Sequence, residues 1–515
     1  MKNQFYSLRN LVLLPVLGIA LIGVTSCKKS TAPNNGGTQK PATATIDSTG
    51  ITTGTAEGLN YTGADVDDTY ASTDFPTTIT ITFNATGNAT ISPATTSGVS
   101  IAQTGGNVVV TATATGVAYN LTGTSATGSF KVYSDKKYLV TLNNLNLINP
   151  VGPAINLQSK KRAFLVVADG TTNTLADGAV YATAPNGEDQ KGTIFTEGQL
   201  IFSGNGTLNV TGNNKHAICS DDYIRVSTGK INVLNSKSDG IHTNDGVIVD
   251  GGTIVINSAS DGIEAEEGEI IINGGALNIT SVGKGIVTSY DDTDGSVARY
   301  IIINGGNIIV KSTTDEGISS KGSLTINKGT INSSASDDAF KADSAIFING
   351  GKMYALSSAN DGFDSNGVLD INGGTVVAIG APVTESGLDC DTRQLKITGG
   401  QVIATGGSTS APSTSSTVNS VILGAGTAQL IHIESVSGVE ALTFQAPVAY
   451  GTLVFASAKL KTNTSYNVYT AGSIASGISF NGFFTAGTYT AGTKSAATFT
   501  TGSVVTKVGG TITTN

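Results

Sequence analysis

The chain has 515 residues, of which 13% are charged and 6% aromatic, with 65 glycines and no tryptophan. Dominance of Thr, Ser, Asn, Gly and β-branched residues excludes a helical architecture and points to strands and turns. The length suffices for two or three domains, and the formal net charge of −9 argues against a nucleic-acid partner.

Residues 1–27 read as a secretion signal. Lys2 and Arg9 give a positive start, and residues 11–24 form an apolar core too short for a comfortable membrane span. Val24-Thr25-Ser26-Cys27 resembles a lipobox, which makes Cys27 the expected lipidation site. The chain is then an exported lipoprotein, held to the outer membrane or cell surface by a lipid; the alternative is an ordinary signal peptide with an incidental Cys. Residues 28–58 have little apolar content to bury and are expected to form a flexible tether.

Residues 59–409 are expected to fold as a parallel β-helix. Segments 78–82, 108–110, 138–142 and 163–167 are β-rich and read as early coils with less regular turns, plus a cap. From about residue 215 to 405 one phrase repeats. Asp239-Gly240-Ile241 recurs as Asp261-Gly262-Ile263, Lys284-Gly285-Ile286, Glu316-Gly317-Ile318, Asp338-Ala339-Phe340 and Asp361-Gly362-Phe363, with first steps of 22 and 23 residues. Most copies lead to Asn-Gly-Gly, as at Asn273, Asn304, Asn349 and Asn372. A fixed period of this size means stacked units.

Within one unit, Ile263 and Ala265 alternate with Glu264 and Glu266, Ile270 and Ile272 point inward, and Leu277 and Ile279 form a third inward pair. Three short strands and three corners make one coil. Ile241, Ile263, Ile286, Ile318, Phe340 and Phe363 then stack in the interior, as do Val249, Ile272, Ile303, Ile326, Ile348 and Ile371. Asn273, Asn304, Asn327, Asn349 and Asn372 form an asparagine ladder at a corner. A β-sandwich would not put these columns in phase, and a leucine-rich repeat would need a Leu framework. Residues 410–515 read as a small antiparallel β module that caps the open end. Cys219 and Cys390 lie about seven units apart, more than roughly 30 Å, too far for a disulfide.

The outward positions of the first strand form one face: Cys219/Asp221, His242/Asn244, Glu264/Glu266, Val287/Ser289, Ser319/Lys321, Lys341/Asp343, Asp364/Asn366 and Asp389/Asp391. Beside it runs the corner column of Asp239, Asp261, Lys284, Glu316, Asp338 and Asp361. Carboxylates about 4.8 Å apart repel, and a hard cation such as Ca²⁺ resolves the conflict. Two candidate metal sites follow: Asp222, Asp239, Asp261 and Glu264; and Asp337, Asp338, Asp361 and Asp364. The competing reading makes these Asp side chains plain corner formers beside Gly. His242, Asn244, Glu266, Lys341, Asp343, Asp389 and Asp391 are the candidate substrate contacts. Cys219, the column neighbour of His242, reads as a small space-filler, and no Ser or Cys nucleophile is evident beside His242. Lys284 or Lys341 is a candidate base for proton abstraction next to a uronate carboxylate, or else simply neutralises its neighbours.

Three further runs join these phrases: Tyr119-Asn120-Leu121-Thr122-Gly123, Gly152-Pro153-Ala154-Ile155, and the stretch from Asp169-Gly170-Thr171 through Asn173 and Leu175 to Asp177-Gly178. Together they resemble the bacterial carbohydrate-binding domain-containing β-helix proteins related to the pectate lyase fold. The resemblance implies a right-handed parallel β-helix, bound Ca²⁺ and attachment to plant cell-wall polysaccharide, including acidic sugars. It also implies a binder with no established lyase activity. The leading expectation is a monomeric, surface-anchored protein that holds pectin-like polysaccharide through Ca²⁺. The alternatives are a Ca²⁺-dependent polysaccharide lyase and a structural or adhesive solenoid.

Overall fold

The computed structural model describes residues 42–290, 297–392 and 394–514. The expected signal segment and Cys27 lie outside the described residues. From about residue 77 the chain winds as a parallel β-solenoid. One wall is a 13-stranded sheet, parallel except for a terminal hairpin, which runs from Val99–Thr104 to Leu388–Cys390. Most of its strands have three residues, such as Ile241–Thr243, Ile263–Ala265 and Ile286–Thr288. The other two walls stack in the same way: Gly246–Val249 on Glu269–Ile272, and Thr253–Ser258 on Ala276–Ser281.

The stacking register is the one the repeat implies. Ile241 pairs with Ile263, Ile263 with Ile286, and Phe340 with Phe363. Both predicted inward columns are fully buried. The Phe340 and Phe363 rings stack with centroids 4.5 Å apart. The second glycine of each Asn-Gly-Gly corner takes a left-handed conformation, as Gly306 does at φ 96°. This explains why Asn327-Lys328-Gly329 still turns. Lys328 replaces the first glycine, and the required one, Gly329 at φ 110°, is kept. Cys219 and Cys390 are buried and free.

The asparagine ladder is continuous. Each Nδ2 donates to the Oδ1 of the preceding coil: Asn304 to Asn273 at 2.9 Å, Asn327 to Asn304 at 2.8 Å, and Asn349 to Asn327 at 2.8 Å. An amide nitrogen carries two protons, and the ladder uses one. The second goes to the backbone of residues 42–68. Asn349 donates to Glu57 O at 2.7 Å, Asn327 to Leu59 O at 3.0 Å, Asn304 to Tyr61 O at 3.0 Å, and Asn273 to Thr62 O at 2.9 Å.

This segment is an extended strap that runs opposite to the direction of coil stacking. It starts with Thr43–Ile46 paired to the strand Phe483–Thr500 and ends with Asp65 and Asp68, each 2.9 Å from Arg162. The tether expected over residues 28–58 is therefore not free over 42–58. Its backbone carbonyls answer spare donors of the ladder, an attraction that needs no apolar side chain.

The ends are closed differently from each other. At the N-terminal end Thr77–Phe83 pairs antiparallel with Thr90–Ser92, and Val99–Thr104 with Asn107–Ala112, which forms the expected cap. At the C-terminal end an antiparallel sheet holds Thr43–Ile46, Leu430–Ser435, Glu440–Gln445, Ser465–Phe480 and Phe483–Thr500. The boundary expected near residue 410 is not a clean one. Thr452–Ser457 pairs directly with Gln401–Gly406, and Val418, Ile422, Val454 and Ala456 join the solenoid core.

The Ser/Thr/Pro-rich join between the last regular coil and this end, residues 406–417, is partly buried. Its hydroxyls accept backbone N–H groups of the last coil: Cys390 N donates to Ser410 Oγ at 2.9 Å, and Ile397 N to Ser416 Oγ at 3.0 Å. Composition alone reads such a run as a linker, whereas here the hydroxyls replace strand partners.

Ile303 lies mid-column with coils above and below and no solvent contact. Ile303→Ala is expected to destabilise the protein by about 3 kcal/mol through lost burial and an unfilled cavity. Equilibrium urea unfolding of the two proteins measures this directly.

Candidate functional site

In a three-residue strand the first and third side chains enter the core and the middle one faces out. The outward column of the 13-stranded sheet is Cys219, His242, Glu264, Val287, Ser319, Lys341, Asp364 and Asp389, each paired in register with the next. Asn244, Glu266, Asp343 and Asp391 follow two residues later, half-buried or exposed along the rim.

The corner column has a dual role. One carboxylate oxygen caps the backbone of the next coil. Asp239 Oδ1 accepts from Asp261 N at 3.0 Å, Asp261 Oδ1 from Lys284 N at 2.6 Å, and Asp338 Oδ1 from Asp361 N at 3.0 Å. Asp361 Oδ1 accepts from Ser386 N. This satisfies an otherwise orphaned N–H at these four corners. Lys284 cannot do it, and there Asp315 Oδ1 takes the Glu316 N–H at 3.0 Å instead. The second carboxylate oxygen is left for the face.

At the N-terminal end of the face Asp239 Oδ2 lies 2.9 Å from His216 Nδ1 and 3.2 Å from His242 Nδ1. The two imidazoles stack at 4.2 Å. His242 Nδ1 also reaches Glu264 Oε2 at 3.0 Å, and its Nε2 lies 3.4 Å from Glu266 Oε2. Ser289 Oγ donates to Glu264 Oε1 at 2.6 Å. Burial opposes the charge on His242, but Asp239 and Glu264 outweigh it and push its pKa up to about 9. Burial likewise opposes the Asp239 carboxylate, and the His216 and His242 hydrogen bonds hold it well below the usual range.

His216 was not among the predicted site residues. It heads the corner column, one coil before Asp239, and extending that column upstream would have found it. Asp239, Asp261 and Glu264 come together as expected, with one oxygen of each within 4.8 Å of the others. Burial, followed by the charges of Asp239 and Glu264, pushes Asp261 up to about 7. Asp222 does not join them: it caps Tyr223 N at 2.9 Å and receives Gln199 Nε2 at the next corner along the coil.

At the C-terminal end Asp361, Asp364 and Asp389 converge, again with oxygens within 4.8 Å of one another. Burial pushes Asp361 up to about 8, with Asp338, Asp389 and Asp364 adding to it against the Ser386 N–H. The second predicted quartet is therefore split. Asp389, expected as a substrate contact, replaces Asp337 and Asp338. Asp338 is fully buried and pairs with Lys341 at 2.9 Å. Asp337 instead groups with Asp315 and Glu316 and accepts from Asn360 Nδ2 at 2.6 Å.

Neither candidate base is free. Lys341 Nζ lies 2.5 Å from Asp364 and 2.9 Å from Asp338, and Lys284 pairs with Glu316 and, at 3.4 Å, with Asp315. Burial works against both ammonium groups, but these carboxylates prevail and raise both pKa values. A lysine that holds its proton this firmly is poorly set to abstract another.

If the Asp338 carboxylate is a backbone cap, Asp338→Asn keeps an acceptor for Asp361 N and costs far less than Asp338→Ala. The Ala variant leaves a buried N–H unpaired and deprives Lys341 of a partner, at about 3–5 kcal/mol. Urea unfolding of both variants distinguishes the cap from a role in binding alone.

The family model described as carbohydrate-binding domain-containing protein matches residues 104–362 and 296–513. A carbohydrate-binding domain-containing protein of Acetivibrio thermocellus is 27% identical over 118 residues, which is 22% of this chain and 41% of that protein. The chain thus spans less than half the length of that curated relative. Among solved structures, the polysaccharide lyase-like protein from C. thermocellum, studied as a gadolinium derivative, aligns over 57% of this chain and 96% of its own, with 20% identity and a TM-score of 0.36. The two family-model segments together span well over half of the sequence, and the chain belongs to the carbohydrate-binding domain-containing protein family.

Proposed function

We propose that the protein binds an acidic polysaccharide of the plant cell-wall type along the outward column, with Ca²⁺ linking protein carboxylates to uronate carboxylates. The observation that carries this reading is the Asp361, Asp364 and Asp389 triad. Its donor set is all oxygen, as a hard cation requires. Asp361 Oδ1 is committed to Ser386 N, and Asp389 Oδ1 accepts from Ser410 Oγ at 3.0 Å and Cys390 N at 2.9 Å. These commitments leave fewer than the six to eight oxygens that Ca²⁺ takes. Water and a sugar carboxylate would complete the shell, which makes the site a bridge.

Asp239, Asp261 and Glu264 offer a second oxygen set, bordered by His242. Ca²⁺ there would offset the like-charge crowding that, with burial, raises the Asp261 pKa. Glu266, Asn244, Asp343 and Asp391 are the proposed polar contacts along the rim. A net-negative protein needs such a counter-ion to hold a uronate chain. The absence of tryptophan removes the flat aromatic platform that suits a neutral crystalline glycan. We place the protein, as a monomer, at the cell surface through a lipid on Cys27.

Retention on polygalacturonate tests the bridge. Ca²⁺ is expected to raise retention several-fold over the level in EGTA. The double variant Asp364→Asn/Asp389→Asn is expected to lose that increment while still binding at the EGTA level. Equal retention of the unaltered protein with Ca²⁺ and with EGTA would reject bridging.

A further inference from the structure

The protein is acidic overall, yet one recess of about 550 Å³ near the N-terminal end is lined by Lys136, Lys137, Lys160, Lys161 and Arg162. Its position follows from the coil. Tyr138 and Ala163 are in register on adjacent strands. The residues just before them stack in the same way, which sets Lys137 beside Arg162 and Lys136 beside Lys161. Ser159 Oγ donates to Ser134 O at 2.6 Å and ties the two corners together. Like charges one coil apart, about 4.8 Å, repel in the absence of an anion.

Two carboxylates line the recess, Asp67 and Asp135, and both are already engaged. Asp135 pairs with Lys136 at 2.9 Å. Asp67 sits 3.8 Å from Arg162, which Asp65 and Asp68 of the strap also hold. Lys137, Lys160 and Lys161 are exposed and make no ion pair among the described residues. The equivalent corners of later coils change sign: Gln199, then Asp221 and Asp222, then Asp245, then Glu266 and Glu267. The corner ridge is thus cationic over two coils and acidic from Asp221 to Glu267, before Arg299 and Lys321 follow at the same corner.

We infer that this two-coil basic corner is a metal-independent subsite for the anionic groups, carboxylate or sulfate ester, of a polysaccharide chain. The inference rests on the polysaccharide-binding reading above and adds a second place of contact to it. Every residue lining the recess is polar, so the surface has nothing to insert into a bilayer. A pyranose residue is about one coil step long, so successive anionic sugars meet successive pairs of cations. The acidic corners from Asp221 to Glu267 bound the attraction on that side.

The test uses the full-length protein, the exposed-site double variant Lys160→Glu/Lys161→Glu, and the milder Lys160→Ala/Lys161→Ala. Binding is measured in EGTA to polygalacturonate, dextran sulfate, a neutral dextran, and vesicles with and without phosphatidylserine. The unaltered protein is expected to retain salt-sensitive binding to one or both polyanions. The charge reversal is expected to weaken it about tenfold or more, with the alanine variant in between and the thermal melt unchanged.

Equal polyanion binding by the unaltered protein and the reversal variant would overturn the subsite. So would binding to phosphatidylserine vesicles with none to either polyanion. Polygalacturonate binding that needs Ca²⁺ and ignores the lysines would overturn the subsite and leave the bridging reading standing. Lysine-dependent binding in EGTA with no increment from Ca²⁺ would do the reverse.

Discussion

In-register backbone stacking is the constraint on which everything else in this molecule depends. Each coil takes its hydrogen bonds from the coils above and below, so a side chain at one position meets its counterpart about 4.8 Å away. An apolar counterpart packs, and the Ile and Phe columns form the core. An amide counterpart forms a ladder. A carboxylate counterpart creates a conflict that must be met locally. The corner column meets it in three ways: one oxygen caps the next coil, a cation intervenes as Lys341 does between Asp338 and Asp364, or the carboxyl pKa is pushed up by burial and its neighbours, as at Asp261 and Asp361.

Much of this was legible in the sequence because the period makes columns visible. The inward Ile and Phe positions, the asparagine ladder and the order of the outward column all follow from spacing alone. What was not legible depends on direction or on backbone. Asp337 and Asp338 are neighbours in sequence, yet their side chains join different clusters, so proximity along the chain misled. Asp389 lies beyond the last clear Asp-Gly copy, in a coil where Ser386 takes the place of the corner Asp. The strap carries no periodic pattern, because its contacts are main-chain carbonyls that accept the ladder's spare protons. The buried Ser and Thr hydroxyls of the join carry none either.

The strap also bears on how charge is distributed. Its acidic end neutralises Arg162 and Arg225, the latter through Asp68 at 3.2 Å and together with Asp250 at 2.6 Å. The lysines of the neighbouring corner are left facing solvent. The solenoid therefore carries a basic corner at one end and carboxylate clusters on the sheet face farther along. On this account a single acidic chain meets two kinds of recognition on one scaffold, direct pairing to lysine and linkage through a metal.

The central claim is that the outward face holds a uronate chain through Ca²⁺ at the Asp361, Asp364 and Asp389 triad. A crystal structure of the protein soaked with Ca²⁺ and a short oligogalacturonide tests it most directly. The account predicts a Ca²⁺ ion with oxygens from these three residues and from a sugar carboxylate in one coordination shell. An oligosaccharide bound on another wall, or a triad with no Ca²⁺ at a saturating concentration, would contradict it.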